Sequence, residues 1–141
     1  MERTGRCSCG NIGFTFTGEP INTVFCYCKE CQIAFGSDRF FGIWLKPEQF
    51  KLNHGQPQEF RRKGDSGYDI IYRFCANCST KVCGVSAQGM VIVAGASLEN
   101  TDGLDPKMAI YTASAPSWAL LPKNIPCFTA MPERKSSIKS R

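Results

Sequence analysis

Cysteine carries the chemistry in this 141-residue sequence. Seven of its nine cysteines fall in three tight groups: Cys7 and Cys9 as CxC, Cys26, Cys28 and Cys31 as CxCxxC, and Cys75 and Cys78 as CxxC. Two thiolates one or two residues apart in a tight turn can reach the same tetrahedral zinc at about 2.3 Å, which is why structural zinc sites use such knuckles in pairs. A lone CxxC is weak evidence. Three groups in a chain with a single histidine are strong. Four ligands close a structural site and three leave a position for water or substrate, so seven divides into four plus three. CxCxxC supplies three by itself, leaving Cys7, Cys9, Cys75 and Cys78 as a four-cysteine site that joins the amino terminus to mid-chain. Closing so long a loop through a metal couples metal binding to folding. The expectation is two zinc ions per chain, one structural and one functional, the second open to partial occupancy.

Other chemistries of the same residues stay open. Cys75 and Cys78 can be read as a redox pair, although no βαβ pattern surrounds them. Spacing alone does not exclude an iron–sulfur cluster on the same thiolates. Cys83, in the run Val82-Cys83-Gly84-Val85, reads as a buried small hydrophobe rather than an eighth ligand, and Cys127 reads the same way. His54, between Asn53 and Gly55, reads as an exposed loop histidine rather than a ligand or base. Trp118 and the phenylalanines read first as core. Arg39, Arg61, Arg62, Lys63 and Arg73 read as solvated strand faces, one or two of which can orient an anionic ligand.

The elements that must hold these groups are mostly strands. Ile12, Phe14 and Phe16 alternate with Gly13, Thr15 and Thr17, the period-2 signature of a half-buried strand. Further short strands are predicted at Ile21 to Phe25, Phe40 to Leu45, Gln58 to Arg62, Tyr68 to Phe74, Lys81 to Ser86, Met90 to Ala94 and Ala109 to Ala113. Turn signals separate them at Gly18-Glu19-Pro20, Asn53-His54-Gly55, Lys63-Gly64-Asp65 and Ala87-Gln88-Gly89. Helix is limited to short turns at Lys29 to Phe35, Pro47 to Phe50 and Ser117 to Leu121. This pattern predicts a mainly β, layered or barrel-like single domain over residues 1–132, followed by a basic, flexible tail at 133–141.

Composition narrows the function classes. The hydrophobic fraction of 43% and charged fraction of 21% are those of a packed globular protein. No apolar run approaches the roughly 20 residues of a membrane helix, and Met1 to Gly10 lacks the apolar centre of a signal peptide. A cytoplasmic location is expected, where reduced thiols favour metal ligation or catalysis over disulfides. The formal charge is +5, of which the tail holds four bases and one acid and hence +3, leaving +2 on the body. Seven thiolates on two zinc ions change that by −3, to about −1, which removes the electrostatic case for nucleic acid.

The same residues resemble a known family. Gly5-Arg6-Cys7-Ser8-Cys9-Gly10, Cys26-Tyr27-Cys28-Lys29-Glu30-Cys31 with Gly36-Ser37, and Arg73-Phe74-Cys75-Ala76-Asn77-Cys78 with Thr80 are similar to the glutathione-dependent formaldehyde-activating (Gfa) family, which includes the centromere protein V type. Gly95-Ala96-Ser97-Leu98 looks like the family's Gly-Thr-Leu segment, and Trp118 with Ile125-Pro126-Cys127-Phe128 like its closing Trp and Leu-Pro-x-Phe. The likeness runs from about Gly5 to Phe128. Two positions depart from the family pattern: Tyr27 stands where a histidine is common, and Ser79 where a glycine usually precedes the threonine.

The resemblance implies a β-tent fold, a structural zinc on Cys7, Cys9, Cys75 and Cys78, and a functional zinc on Cys26, Cys28 and Cys31. It also implies a carbon–sulfur lyase like S-(hydroxymethyl)glutathione synthase, in which the Cys26, Cys28 and Cys31 site adds a glutathione-like thiol to a small aldehyde such as formaldehyde. Such a site carries net negative charge and needs a compensating donor or cation, for which Tyr27 and Arg39 are the candidates from sequence. The alternative is a non-catalytic zinc module that binds a protein or nucleic acid.

Overall fold

The computed structural model describes residues 1–64 and 69–132. Its strands are β1 (Glu2–Arg6), β2 (Gly13–Thr17), β3 (Asn22–Cys26), β4 (Phe40–Leu45), β5 (Phe50–His54), β6 (Gln58–Lys63), β7 (Asp69–Phe74), β8 (Lys81–Val85), β9 (Val91–Ala94) and β10 (Met108–Ile110), with one helix, α1 (Lys29–Phe35). They build a three-stranded sheet in the order β1-β2-β5 and a seven-stranded sheet in the order β10-β3-β4-β9-β8-β7-β6. All pairings are antiparallel except β10 with β3. The fold is mainly β and layered, as the turn-punctuated pattern predicts.

Alternation in β2 places Phe14 and Phe16 against the seven-stranded sheet, both essentially free of solvent contact. There they meet Ile43 and Leu45 of β4 and Val91 and Val93 of β9. Each such side chain contributes roughly 1.5–3 kcal/mol by leaving water. On this face the seven-stranded sheet is covered by the small sheet, with Ile12, Leu98 and Leu104 packed into the same cluster. Its opposite face carries Phe40, Gly42 and Trp44 of β4 and Ile92 of β9, which line a cleft. That double use explains why β4 and β9 read as nearly continuous apolar runs while β2 alternates.

Gly5 keeps the two layers close. A Cβ there would run into the Phe14 ring and lie 2.7 Å from the Ser97 carbonyl oxygen. A bridge from Gly5 to Leu98 fastens β1 to the 3-10 turn Gly95–Ser97 that follows β9.

Several sequence expectations are corrected here. Strands β1 and β5 carry no signal in the pattern above, because β1 buries only Gly5 and β5 buries no residue fully. His54 closes β5 rather than sitting in a turn, though it is exposed. Ser117 to Leu121 is not helical; a 3-10 turn at Thr112–Ser114 stands just before it. Trp118 is 70% exposed rather than core, and Cys127 is exposed rather than buried. Cys83 is buried as expected. Part of the Tyr68 to Phe74 strand, the Asp65 end of its preceding turn, and the basic tail lie outside the described residues. Among the described residues no helix is long and apolar enough to cross a membrane.

Candidate metal centres

Both cysteine sets converge as the ligand count divides them. The sulfurs of Cys7, Cys9, Cys75 and Cys78 lie within 4.8 Å of one another, and so do those of Cys26, Cys28 and Cys31. Each group can hold a metal ion. For a tetrahedral zinc with bonds of about 2.3 Å the sulfur–sulfur edge is about 3.8 Å. Cys7 to Cys9 and Cys9 to Cys75 each measure 3.7 Å. A single tetrahedral ion fits that spacing. A polynuclear iron–sulfur cluster binds its cysteines to different irons and holds them farther apart.

The four-cysteine group is assembled by two turns. Cys7 follows β1, and its turn closes with Gly10 N–H on the Cys7 carbonyl at 3.1 Å, Gly10 having φ +84°. Cys75 follows β7 in a turn closed by Ser79 N–H on the Cys75 carbonyl at 2.8 Å. Thr80 Oγ1 joins the two turns, accepting from Ser8 N–H at 3.0 Å while lying 3.2 Å from Cys78 Sγ. That hydroxyl, with backbone donors, holds Cys78 well below an ordinary thiol, at about 5. Ile12 N–H points at Cys7 Sγ from 3.3 Å. His54 Nε2 donates to the Gly10 carbonyl at 3.0 Å and braces the first turn from β5. The lone histidine is therefore a support for the turn, a role its local sequence does not announce.

Ser79 explains one departure from the family pattern. Its φ is +66°, in the left-handed region where a Cβ crowds the following carbonyl. Glycine takes that conformation without cost, and serine strains it.

The three-cysteine group is local. Cys26 ends β3, Cys28 caps α1 with Sγ accepting from Cys31 N–H at 3.3 Å, and Cys31 sits in the first turn, buried. Gly36 ends the helix at φ +64°. Gln32 ties α1 down through 2.9 Å bonds to the carbonyls of Tyr27 and Ser114. Without metal the trio shares its protons unequally. Cys28 accepts hydrogen bonds from Cys26 and Cys31 and falls to about 2, while Cys26 rises to about 12 and Cys31 is pushed upward by its two neighbours.

Cys26, Cys28 and Cys31 line the cleft of about 770 Å³ on the outer face of the large sheet. Arg62 and Tyr72 line it too, the Arg62 Nε donating to Tyr72 Oη at 2.8 Å. The Cys28 thiolate acts on both. Arg62 is thus a cation of this site, beside Lys29 at the start of α1. Tyr27 and Arg39, the candidates from sequence, are elsewhere: Tyr27 is wholly buried edge-to-face with Phe25, and Arg39 lies 4.4 Å over the Phe25 ring and pairs with Asp38. Neither lines the cleft. Arg61 pairs with Asp69 and Arg73 with Glu59, so of the basic residues set out from sequence only Arg62 turns inward.

A family model described as glutathione-dependent formaldehyde-activating enzyme matches residues 2–114. No curated protein matches the chain. Among solved structures, a Rhodobacter sphaeroides protein is similar with a TM-score of 0.54 at 18% identity, over 73% of this chain and 91% of that one. At such identity the likeness is one of fold.

Two measurements follow from the geometry. Elemental analysis of protein purified without chelator is expected to give up to two zinc per chain, and abundant iron with a visible charge-transfer band would contradict the ligand fit. Ser79→Gly relieves a left-handed strain worth about 1–2 kcal/mol, offset in part by greater freedom of the unfolded chain. It should raise the melting temperature by a few degrees, and a lowered one would show that the strain reading is wrong.

Proposed function

The chain belongs to the glutathione-dependent formaldehyde-activating enzyme family, and on that premise we propose that it adds a glutathione-like thiol to a small aldehyde such as formaldehyde. The reaction is that of a carbon–sulfur lyase run in the synthetic direction. The observation that carries this reading is the trio of sulfurs within 4.8 Å, short of a full tetrahedral set and lining a cleft. In this proposal Cys7, Cys9, Cys75 and Cys78 hold a structural zinc and Cys26, Cys28 and Cys31 a functional one.

A zinc ion at the trio supplies Lewis acidity, which lowers the pKa of a thiol sharing the site and raises its nucleophilic thiolate fraction. Three cysteinates outweigh a divalent ion by one charge and disfavour a further anionic sulfur. Arg62, acted on by Cys28 and Cys31, offsets that charge. Tyr72 Oη accepts from Arg62, so its own proton is free to donate. Burial raises the Tyr72 pKa and keeps the hydroxyl protonated at neutral pH.

As the carbon–sulfur bond forms, the C=O π pair moves to oxygen. The proton the thiol gave up ends on that oxygen. Tyr72 Oη–H is the donor that stabilises the developing charge there, and Arg62 fixes the hydroxyl's position.

Thiol consumption by zinc-loaded protein with glutathione and formaldehyde should exceed the uncatalysed rate. Tyr72→Phe should lower kcat by roughly 10²-fold, the effect of losing one donor to a developing oxyanion. A rate equal to background in the parent protein removes the reaction. The division between the metals has its own test, because losing a ligand from a closed site costs folding free energy while losing one from an open site mainly costs function. Cys78→Ser should be insoluble or protease-sensitive. Cys31→Ser should stay folded, keep one zinc and lose thiol binding, and the reverse order by circular dichroism and metal counting would exchange the two assignments.

A further inference from the structure

Formaldehyde needs almost no room, yet the cleft beside the three cysteines is about 770 Å³ and mostly apolar. Among the described residues its charged lining is Lys29 and Glu30 at the start of α1 and Arg62. Two cations and one carboxylate suit the two carboxylates and one ammonium of a peptide thiol such as glutathione. The rest of the lining has no counterpart in a glutathione and formaldehyde pair. Phe40, Gly42 and Trp44 face the cleft in succession along β4, so the floor extends roughly 13 Å at about 3.3 Å per residue. Ile92 of β9 stands opposite both Trp44 and Gly84 of β8, and Ile70 of β7 adds to the wall.

Gly84 hollows this floor, whereas at Gly42 a Cβ would lie 3.0 Å from both Ile92 Cγ2 and Phe40 Cε2, so glycine there lets those two side chains close in. Gly42 and Gly84 are buried, mid-strand, and free of the positive φ that other glycines of the chain need. A Cβ at Gly84 would make only ordinary contacts, 3.7 Å from Ile70 Cγ2, the Ile71 carbonyl oxygen and Tyr72 Cδ1. Glycine weakens a strand interior, and its usual reasons are a bulge or the close approach of another group. At Gly84 the ladder to β9 is regular, the register shift in the ladder to β7 falls at Arg73/Phe74 rather than at the Tyr72–Gly84 pair, and the backbone conformation is ordinary, which leaves the approach of a ligand.

We propose that the aldehyde taken by this site carries an apolar chain or ring, seated over Gly84 and Ile92 beside Trp44. The proposal rests on the thiol-addition reading above. The balanced step is RSH plus R′CHO giving RS–CH(OH)R′: the carbon–sulfur bond forms, the C=O π bond breaks, and the thiol proton ends on oxygen. R′ is an alkyl or aryl group in preference to the hydrogen of formaldehyde.

The test separates the pocket from the reaction. In zinc-loaded Trp118→Phe protein Trp44 is the sole tryptophan, and its fluorescence reports the cleft directly. Titration with 1-hexanol, which has the chain without the carbonyl, should give a saturable change that methanol does not. Gly84→Leu should weaken hexanol binding at least tenfold, and Gly84→Ala less. With glutathione as thiol, kcat/KM should be at least tenfold higher for hexanal than for formaldehyde, and Gly84→Leu should lower that ratio at least tenfold. Formaldehyde turnover with neither saturable hexanol binding nor a preference for hexanal overturns this inference alone. Hexanol binding unchanged in both Gly84 variants overturns it as well. No turnover with any aldehyde overturns the reaction and the inference together.

Discussion

The meeting of Cys7 and Cys9 with Cys75 and Cys78 brings the turn after β1 onto the turn after β7, and through them the small sheet onto the large one. The Cys9 and Cys75 sulfurs, 3.7 Å apart on turns from strands of different sheets, leave little freedom in how those sheets lie. The details nearby serve the same closeness. Gly5 has no side chain because Phe14 and the Ser97 carbonyl occupy that space, and Thr80 and His54 spend their polar atoms on the two turns. The apolar core between the sheets includes Cys7, Cys75 and partly buried Cys78, so the sulfur cluster and the hydrophobic contacts form one packed unit.

What the sequence discloses depends on whether a residue's job is written in its own neighbourhood. Cysteine spacing is local, so both cysteine groups could be sorted before any fold was known, and Lys29–Phe35 and Phe40–Leu45 have the bounds the pattern predicts. Strand β1 could not be read this way, since Glu2-Arg3-Thr4-Gly5-Arg6 is held by backbone pairing with β2 and buries only a glycine. Trp118 misleads for the opposite reason: size suggests core, but its segment runs over the surface. Arg62 was one of five basic residues on apparently solvated strands. Only its pairing partner across β7, and the side of the sheet that β6 presents, decide that it faces Cys28 and Cys31 while Arg61 does not.

The two faces of the large sheet differ in how fully they are covered. One is closed by Phe14, Phe16 and their neighbours; the other stays open, and its partly exposed Phe40, Trp44 and Ile92 accept contact with water. Leaving such apolar surface uncovered forgoes burial free energy that a compact domain would otherwise collect. Stacking of Phe35 on Phe40 at 4.2 Å, and its edge contact with Tyr72 at 6.0 Å, hold α1 along this open face. The helix that presents Cys28 and Cys31 is thus fixed by aromatic rings belonging to the cleft itself.

The contrast between the two cysteine groups also has a time axis. Cys26 to Cys31 span six residues, and a loop that short closes in well under a microsecond even in an unfolded chain. Cys7 and Cys78 stand 71 positions apart, and their encounter waits on β1, β2 and β7 having found one another. A newly made chain therefore offers its local trio to passing ions long before the four-cysteine group exists. Of the two groups that could hold an ion, the one whose filling would restrain least is complete first, and the one whose filling would join the sheets is complete last.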